Sequence, residues 1–217
     1  MQKRRCRVAV FIDAQNVHGD FRRAFFPEDA PSGAGWYHPM ALGQLLASRG
    51  PDFEDWTLAA VRIYAGSPVA TRDAYAAAAH DRQVEVWRGE GVEPRLRPLY
   101  YPDGWPTERP RQKGVDVELA VDVVRMAIAK EFEVGIIAST DRDLLPAIEA
   151  VYALRGTEAT PRICVVRYGS LAKRLNHTDA KGRTLHAFHL IAEDFTAVQD
   201  DTDYTRPPGM LKAFSSN

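Results

Sequence analysis

Short apolar runs alternate along the chain with longer segments in which apolar residues recur every three or four positions. Four nearly continuous apolar runs occupy residues 7–12, 57–64, 134–138 and 162–167. Runs of this length are typical of strands that are buried on both faces of a parallel sheet. The clearest helical spacing lies at residues 115–130, where Leu119 and Val123 share a face. The alternation predicts a three-layer α/β/α fold with a mostly parallel central sheet.

The remaining segments continue this alternation and end in a tail. Further helices are predicted at residues 14–26, 40–49, 69–81, 144–155, 170–175 and 192–198. A short strand is predicted at residues 84–87, where apolar and polar residues alternate, and a last strand at residues 184–190. Residues 96–101 are predicted to form an edge strand, because proline is tolerated there. We assign one domain to residues 1–199 and a C-terminal tail to residues 200–217, which have little periodicity.

Composition narrows the class of protein. With 217 residues the chain is long enough for one α/β domain with a sizeable core. Its formal net charge of -1 argues against a surface that binds polyanions everywhere, although local basic patches are compatible with it. Cys6 and Cys164 form neither a disulfide framework nor a zinc-ligand spacing, which indicates a reducing, cytoplasmic setting. The apolar runs are shorter than the ~18 residues of a membrane span, so we expect no membrane association.

Carboxylates follow three of the predicted element boundaries. Asp13 ends the first strand, Asp116 enters the long helix after a Lys-Gly turn, and Asp141 follows the strand at residues 134–138. Ligands of open α/β sheets bind beyond the carboxyl ends of the strands, so we expect these side chains to meet. Carboxylates gathered within a few ångströms repel one another unless one is protonated or a cation neutralises them. Because Mg²⁺ and Mn²⁺ favour oxygen ligands, the pattern predicts a divalent-metal site.

Helix capping is the competing explanation for several of these positions. Asp and Asn are favoured N-cap residues, and a helix that begins at residue 144 makes Asp143 its cap and Pro146 its third residue. Asp143 therefore has two open roles, as a cap alone or as a cap that also faces the site. Asp13 caps the first helix unless Asn16 takes that role. Ser139 is expected either to cap or to orient Asp141.

Three sequence motifs contain these carboxylates: FIDAQN at residues 11–16, KGVDV at residues 113–117 and STDRDLLP at residues 139–146. Together they resemble the motifs of the NYN-domain family of the PIN-like nuclease superfamily. Their order and spacing extend the resemblance over residues 7 to about 195. Ala14 stands where many relatives have Gly. The resemblance implies a PIN-like fold and metal-dependent hydrolysis of RNA phosphodiester bonds.

The resemblance also implies which residues form the site. It assigns catalytic positions to five side chains: Asp13, Asn16, Asp116, Asp141 and Asp143. Asp13, Asp116 and Asp141 are expected to hold Mg²⁺ or Mn²⁺, and Asn16 is expected to orient a water molecule or a phosphate oxygen. Asp122 cannot share a helix face with Asp116, because six residues correspond to about 600° of rotation, and we expect it to flank the site.

Basic and aromatic residues before Asp116 are candidates for substrate binding. Arg109, Arg111 and Lys113 are predicted to bind phosphates. The second basic group comprises Arg167, Lys173, Arg174, Lys181 and Arg183. The aromatic residues of the proline-rich loop, Tyr100, Tyr101 and Trp105, either stack on unpaired bases or pack onto the body of the domain.

A metal-dependent ribonuclease is the leading function, with single-stranded RNA as the expected partner. The alternative on the same fold is a non-catalytic RNA-binding or regulatory module, which needs the basic surface but not Asp116 or Asp141. A phosphatase that uses Asp13 as nucleophile is a third option, although Gln15 stands where that chemistry usually has a second acid. A homo-oligomer is compatible with all three.

Overall fold

A six-stranded parallel sheet forms the centre of the protein in the computed structural model, which describes residues 3–154, 161–172, 175–176, 178 and 184–206. The strands are β1 (Arg4–Asp13), β2 (Glu54–Ser67), β3 (Val92–Pro98), β4 (Val134–Ala138), β5 (Arg162–Tyr168) and β6 (His186–Leu190). Their order is β3-β2-β1-β4-β5-β6, and every neighbouring pair is parallel. From β1, the chain adds β2 and β3 on one side of the sheet and then β4, β5 and β6 on the other side. The strand order therefore reverses between β1 and β4, which are neighbours.

Helices cover both faces of this sheet. They are α1 (Ala14–Phe25), α2 (Pro39–Ala47), α3 (Ala74–Gly89), α4 (Val115–Ile128), α5 (Leu145–Ala153) and α6 (Ala192–Val198). Alternate residues of β1 enter two separate cores, because successive side chains of a strand point to opposite faces. Val10 and Ile12 pack with α1, α2, α3 and α6, whereas Phe11 packs with α4 and α5. The predicted three-layer α/β/α architecture is confirmed.

Two predicted elements are wrong. Residues 84–87 belong to α3, where Val84 and Trp87 are buried on one face. The sequence VEVW satisfies both the strand period and the helix spacing, and burial of the i, i+3 pair decides for the helix. Residues 170–172 and Leu175 are not helical, and Leu175 enters the core from a loop.

Other boundaries shift without changing the architecture. The helix predicted at residues 69–81 begins at Ala74, where Asp73 caps it, and the edge strand begins at Val92 and ends at Pro98. Residues 207–217 and residue 155, the last residue of the helix predicted at residues 144–155, lie outside the described part, and the division of the chain at residue 199 stays a prediction. Within the described residues, no helix combines the length and apolar character needed to cross a membrane.

Candidate acidic active site

A polar cavity of about 390 Å³ opens at the carboxyl edge of the sheet. Eight residues line it: Asp13, Gln15, Asn16, Arg23, Gln112, Val115, Asp116 and Asp141. Ile12 of β1 pairs with Ala138 of β4, so the chain leaves both strands side by side at the reversal of strand order. In doubly wound sheets this crevice is where ligands bind. The structure therefore brings together four of the five predicted catalytic residues, and the cavity is called the acidic cavity below.

Asp13 lines the acidic cavity and also caps α1. Its Oδ1 accepts the backbone N–H of Asn16 at 3.1 Å, and its Oδ2 accepts the hydroxyl of Ser139 at 3.3 Å. Burial, with a smaller contribution from the charges of Asp141 and Asp116, raises the pKa of Asp13 to about 6 against the effect of these two hydrogen bonds. The cap and the cavity wall are thus the same carboxylate, and the alternative in which Asn16 caps α1 is wrong.

Asp141, rather than Asp143, caps the turn that follows β4. The chain forms a 3₁₀ turn at Arg142–Leu144, and Asp141 Oδ1 accepts the backbone N–H of Asp143 at 3.1 Å. The Asp143 side chain is exposed and does not line the cavity. The 3₁₀ turn delays α5 to Leu145, which makes Pro146 its second residue. The predicted cap at Asp143 is therefore wrong, because the extra turn shifts the cap by two residues.

Asn16 holds the end of β4 in place. Its Oδ1 accepts the backbone N–H of Thr140 at 2.9 Å. The Thr140 hydroxyl lies 3.1 Å from the same oxygen, but it is 2.6 Å from Oδ2 of Asp20, and its single proton goes to that carboxylate. The carbonyl end of Asn16 is therefore engaged by protein, and its amide N–H₂ group has no protein acceptor among the described residues.

Asp116 reaches the cavity through a glycine turn. Gly114 precedes α4 with a φ of 72°, a left-handed conformation that a side chain makes costly. Asp116 is the second residue of α4, where the partial positive charge of the helix N-terminus stabilises a carboxylate. The Lys-Gly-Val-Asp sequence thus turns the chain abruptly from the proline-rich loop into α4 and delivers Asp116 to the cavity.

Comparison with known proteins assigns the family. The NYN domain family matches residues 7–160, which run from within β1 to the end of α5 and contain every residue predicted for the acidic site. The chain belongs to the NYN domain family. Among solved structures, a protein of unknown function from Vibrio parahaemolyticus, VPA0982, is similar at 15% identity and a TM-score of 0.49, with 80% of this chain and 87% of that chain covered. No curated protein sequence matches.

Asp20 and Arg23, two polar residues of α1 in this NYN domain, were not predicted from the sequence. Arg23 lines the acidic cavity, and its guanidinium donates to Asp20, a fully buried carboxylate. Asn16, Asp20 and Arg23 follow one another at i, i+4 and i+7, a spacing that places them on one face of a helix. This i, i+4, i+7 spacing of polar residues in α1 was the feature of the sequence that could have predicted them.

The predicted substrate-binding cations lie outside the lining of the acidic cavity. Arg109 is exposed, and Arg111 lies 4.0 Å from Glu108. The Lys113 ammonium lies 3.7 Å from the centre of the Tyr100 ring, a cation–π contact. These side chains belong to the loop that leads into α4, and their binding of phosphate stays a prediction.

The loop aromatics divide between the two expected roles. Tyr101 and Trp105 pack edge to face with their centres 5.0 Å apart, and the Tyr101 hydroxyl accepts the backbone N–H of Val69. Only Tyr100 of the three has an exposed ring, 46% accessible. In the second basic group, Arg167 donates to Asn176, and the other members lie outside the described residues.

The donor set of the acidic cavity consists of oxygen atoms, as Mg²⁺ and Mn²⁺ prefer. Among the residues that the structure describes, no three His, Cys, Asp or Glu side chains are close enough to enclose one metal ion. Mg²⁺ usually keeps several waters and binds through one or two carboxylates together with substrate phosphates. The cavity thus fits an open Mg²⁺ or Mn²⁺ site rather than a closed protein cage.

Proposed function

We propose that this NYN domain is a metal-dependent ribonuclease that hydrolyses phosphodiester bonds of single-stranded RNA in the acidic cavity. One observation carries the proposal. Asp13, Asp116 and Asp141 come from three separate elements and meet in one polar cavity at the reversal of strand order. The charges of Asp116 and Asp141 also act on Asp13 and raise its pKa. Membership of a PIN-like nuclease family supports the same conclusion.

Asp13, Asp116 and Asp141 are the carboxylates of which one or two would hold a Mg²⁺ or Mn²⁺ ion, together with water. Such an ion, when bound, supplies an activated water and stabilises charge on phosphoryl oxygens. Ser139 and the backbone of Asn16 fix the two oxygens of Asp13 by hydrogen bonds, so the carboxylate keeps one orientation. The phosphatase alternative with Asp13 as nucleophile is disfavoured because Gln15, and not a second acid, lies beside Asp13 in the cavity lining.

Asn16 and Asp143 take different parts in this mechanism. Thr140 holds the carbonyl end of Asn16, so the amide N–H₂ group is the end available to donate to a phosphate oxygen. Asp143 contributes its backbone N–H, which orients the Asp141 carboxylate. Within the part of the chain that the structure describes, its exposed side chain has no contact that supports the catalytic role implied by the family resemblance.

The decisive experiment is cleavage of an end-labelled single-stranded RNA with Mg²⁺, Mn²⁺ or EDTA, with wild type beside Asp116→Asn. We expect metal-dependent cleavage by the wild type and a loss of at least about 100-fold in the variant, because one charged ligand becomes neutral. Asp81→Asn is the matched control, since Asp81 is an exposed acid on α3. Full activity of a folded Asp116→Asn protein would refute the assignment.

A non-catalytic RNA-binding module is the second candidate. It is favoured by one observation, the lack of three metal-binding side chains close enough to enclose an ion among the described residues. Retention of RNA in a shift assay, with no cleavage under any metal, selects this candidate.

A further inference from the structure

The acidic cavity has a charge imbalance that an RNA substrate must overcome. Three of its eight lining residues are carboxylates, and RNA brings one negative charge with every phosphate. Arg23 is the one cation among those lining residues. Even with a divalent ion bound, the cavity needs a fixed positive group to hold a phosphate against the carboxylates.

Arg23 is held in place by buried groups. Its Nη2 donates to Oδ1 of Asp20, and the other oxygen of that carboxylate accepts the Thr140 hydroxyl at 2.6 Å. Gly19 leaves room for the guanidinium, because a β-carbon there would lie 3.0 Å from Arg23 Nη1. A buried carboxylate is costly unless it is paired, so Asp20 restricts Arg23 to one position.

The guanidinium keeps donors free for a ligand. It has five N–H groups, and among the described residues its partner is Asp20. The side chain is 54% exposed, so the remaining donors face the cavity and solvent. A guanidinium presents paired donors that match two phosphate oxygens.

We propose that Arg23 binds a phosphate of the RNA substrate in the acidic cavity, and that Asp20 is the positioning residue that orients it. The inference rests on the proposed function for its substrate class. Thr140 joins the two halves of the site, since it contacts Asp20 and directly precedes Asp141 in the chain. The phosphate-binding group and the carboxylates are thereby held at a fixed separation.

The test measures binding of a fluorescein-labelled single-stranded RNA in EDTA over a range of salt concentrations. We expect Arg23→Gln to raise Kd about tenfold and to reduce the salt slope by about 1, as loss of one phosphate contact does. Arg5→Gln is the matched control, because it removes the same charge from the opposite edge of the sheet. Equal Kd values and slopes for the two variants would overturn the proposal.

The role of Asp20 is tested by a double-mutant cycle. If Asp20 acts through Arg23, Asp20→Asn weakens RNA binding when Arg23 is present. It causes no further loss of RNA binding in a protein that already carries Arg23→Gln. Thermal unfolding of each variant shows which proteins remain folded. If Asp20→Asn does not fold, Asp20→Glu replaces it in the cycle. Additive losses refute the positioning role.

Cleavage assays separate this proposal from the function on which it rests. RNA binding that depends on Arg23, without metal-dependent cleavage, refutes the proposed nuclease activity but supports the phosphate-binding role of Arg23. Metal-dependent cleavage with an unchanged KM in Arg23→Gln refutes the role of Arg23 but supports the nuclease activity.

A second, independent observation concerns the outer face of α4. Val117, Val121 and Ile128 are 58%, 61% and 61% exposed, and Val124 lies between them on the same stripe. Small residues of α5, Ala147 and Ala150, form the other side of a shallow apolar groove. This helix therefore presents three exposed apolar side chains and the half-buried Val124 along one face, and apolar residues grouped in this way on a surface are typical of contact sites.

The geometry points to a second copy of the same chain as the occupant. The spacing of Val117, Val121, Val124 and Ile128 is four, three and four residues, the coiled-coil period, and it is identical in either direction. An antiparallel copy of α4 therefore aligns its own stripe with this one. Glu118 and Arg125 flank the stripe on one side and pair within their own chain, Glu118 with Arg97 and Arg125 with Asp122 and Glu131. The stripe therefore has a neutralised polar rim, and its apolar centre is the surface left for the second copy.

Light scattering on the full chain tests this dimer. We expect a dimer in the wild type, a monomer in Val121→Asp, and a dimer in Phe53→Asp, where an equally exposed apolar residue changes elsewhere. The antiparallel register predicts faster oxidative cross-linking in a mixture of Val121→Cys and Val124→Cys chains than in either alone. A monomeric wild type, or a dimer that survives Val121→Asp, overturns the proposal.

Discussion

Asp13 and Asp122 are two partly buried carboxylates whose pKa values are shifted in opposite directions. Burial raises the pKa of Asp13 to about 6, and the neighbouring charges are carboxylates. Burial also acts on Asp122, but its pKa is lowered, because hydrogen bonds from Tyr64, Arg125 and Arg62 outweigh the burial. Arg62 donates to Asp122 at 2.8 Å, and the Tyr64 hydroxyl donates at 2.7 Å.

The difference separates a structural carboxylate from a binding one. Asp122 joins α4 to β2 through neutralised charges, and the arrangement is complete without a ligand. Asp13 lies among like charges, and a cation supplied from outside would relieve them. Burial and hydrogen bonding do not distinguish the two carboxylates, since each is partly buried and each accepts hydrogen bonds. They differ in the sign of the surrounding charge, which is negative around Asp13 and positive around Asp122.

The largest expected effect comes from breaking the balanced cluster. Asp122→Ala leaves Arg62, which is buried, with Glu93 as its remaining ion-pair partner, and removes an acceptor from Tyr64. We expect the free energy of unfolding to fall by about 2–3 kcal/mol, measured by urea denaturation. Arg125→Ala, which removes a more exposed partner of the same carboxylate, should cost under about 1 kcal/mol. Equal losses in the two variants would contradict this account.

A smaller effect of opposite sign is expected at Asp13. Its folded pKa lies above the ordinary 3.8 of an aspartate, so the folded protein loses stability as pH rises from about 4 to about 6. In EDTA at pH 7.5, Asp13→Asn should therefore stabilise the protein by about 1–2 kcal/mol, since one pKa unit corresponds to about 1.4 kcal/mol and partial exposure reduces the effect.

Asparagine also caps helices well, so Asp13→Asn preserves the start of α1. The measurement is denaturant unfolding at pH 4 and pH 7.5, and the gain should vanish at the lower pH. A variant that is less stable than wild type at pH 7.5 would show that burial and the neighbouring carboxylates do not destabilise the charged form of Asp13.

The smallest effect is that of a cation on stability. Mg²⁺ at ten times its Kd should stabilise the wild type by about 1.4 kcal/mol at pH 7.5, because it binds only the folded form. The increase in Tm should be lost in Asp13→Asn and retained in Asp81→Asn. An equal increase in all three proteins would locate the ion elsewhere.

The meeting of Asp13, Asp116 and Asp141 followed from sequence because parallel strands end at one edge. Asp20 and Arg23 did not follow, since their roles depend on Thr140, which is 120 residues from Asp20 in the chain. Nearness in sequence was equally misleading for Arg109 and the other loop cations, which precede Asp116 without lining its cavity.

Local ambiguity explains the other errors. The pattern at residues 84–87 fits a strand and a helix equally, and the longer helix around it decided the outcome. At Asp143, a single 3₁₀ turn changed which carboxylate caps and which is left in solvent. Such turns depend on packing beyond the local sequence.

The pairing of β1 with β4 has a consequence for how the protein is made. The hydrogen bond between Ser139 and Asp13 joins residues 126 positions apart, and long-range pairing of this kind forms late in folding. A ribosome therefore releases Asp13 long before its partner exists. Until residues 134–138 have been synthesised, β1 has no β4 to pair with, and the acidic cavity cannot be complete before Asp141 has emerged.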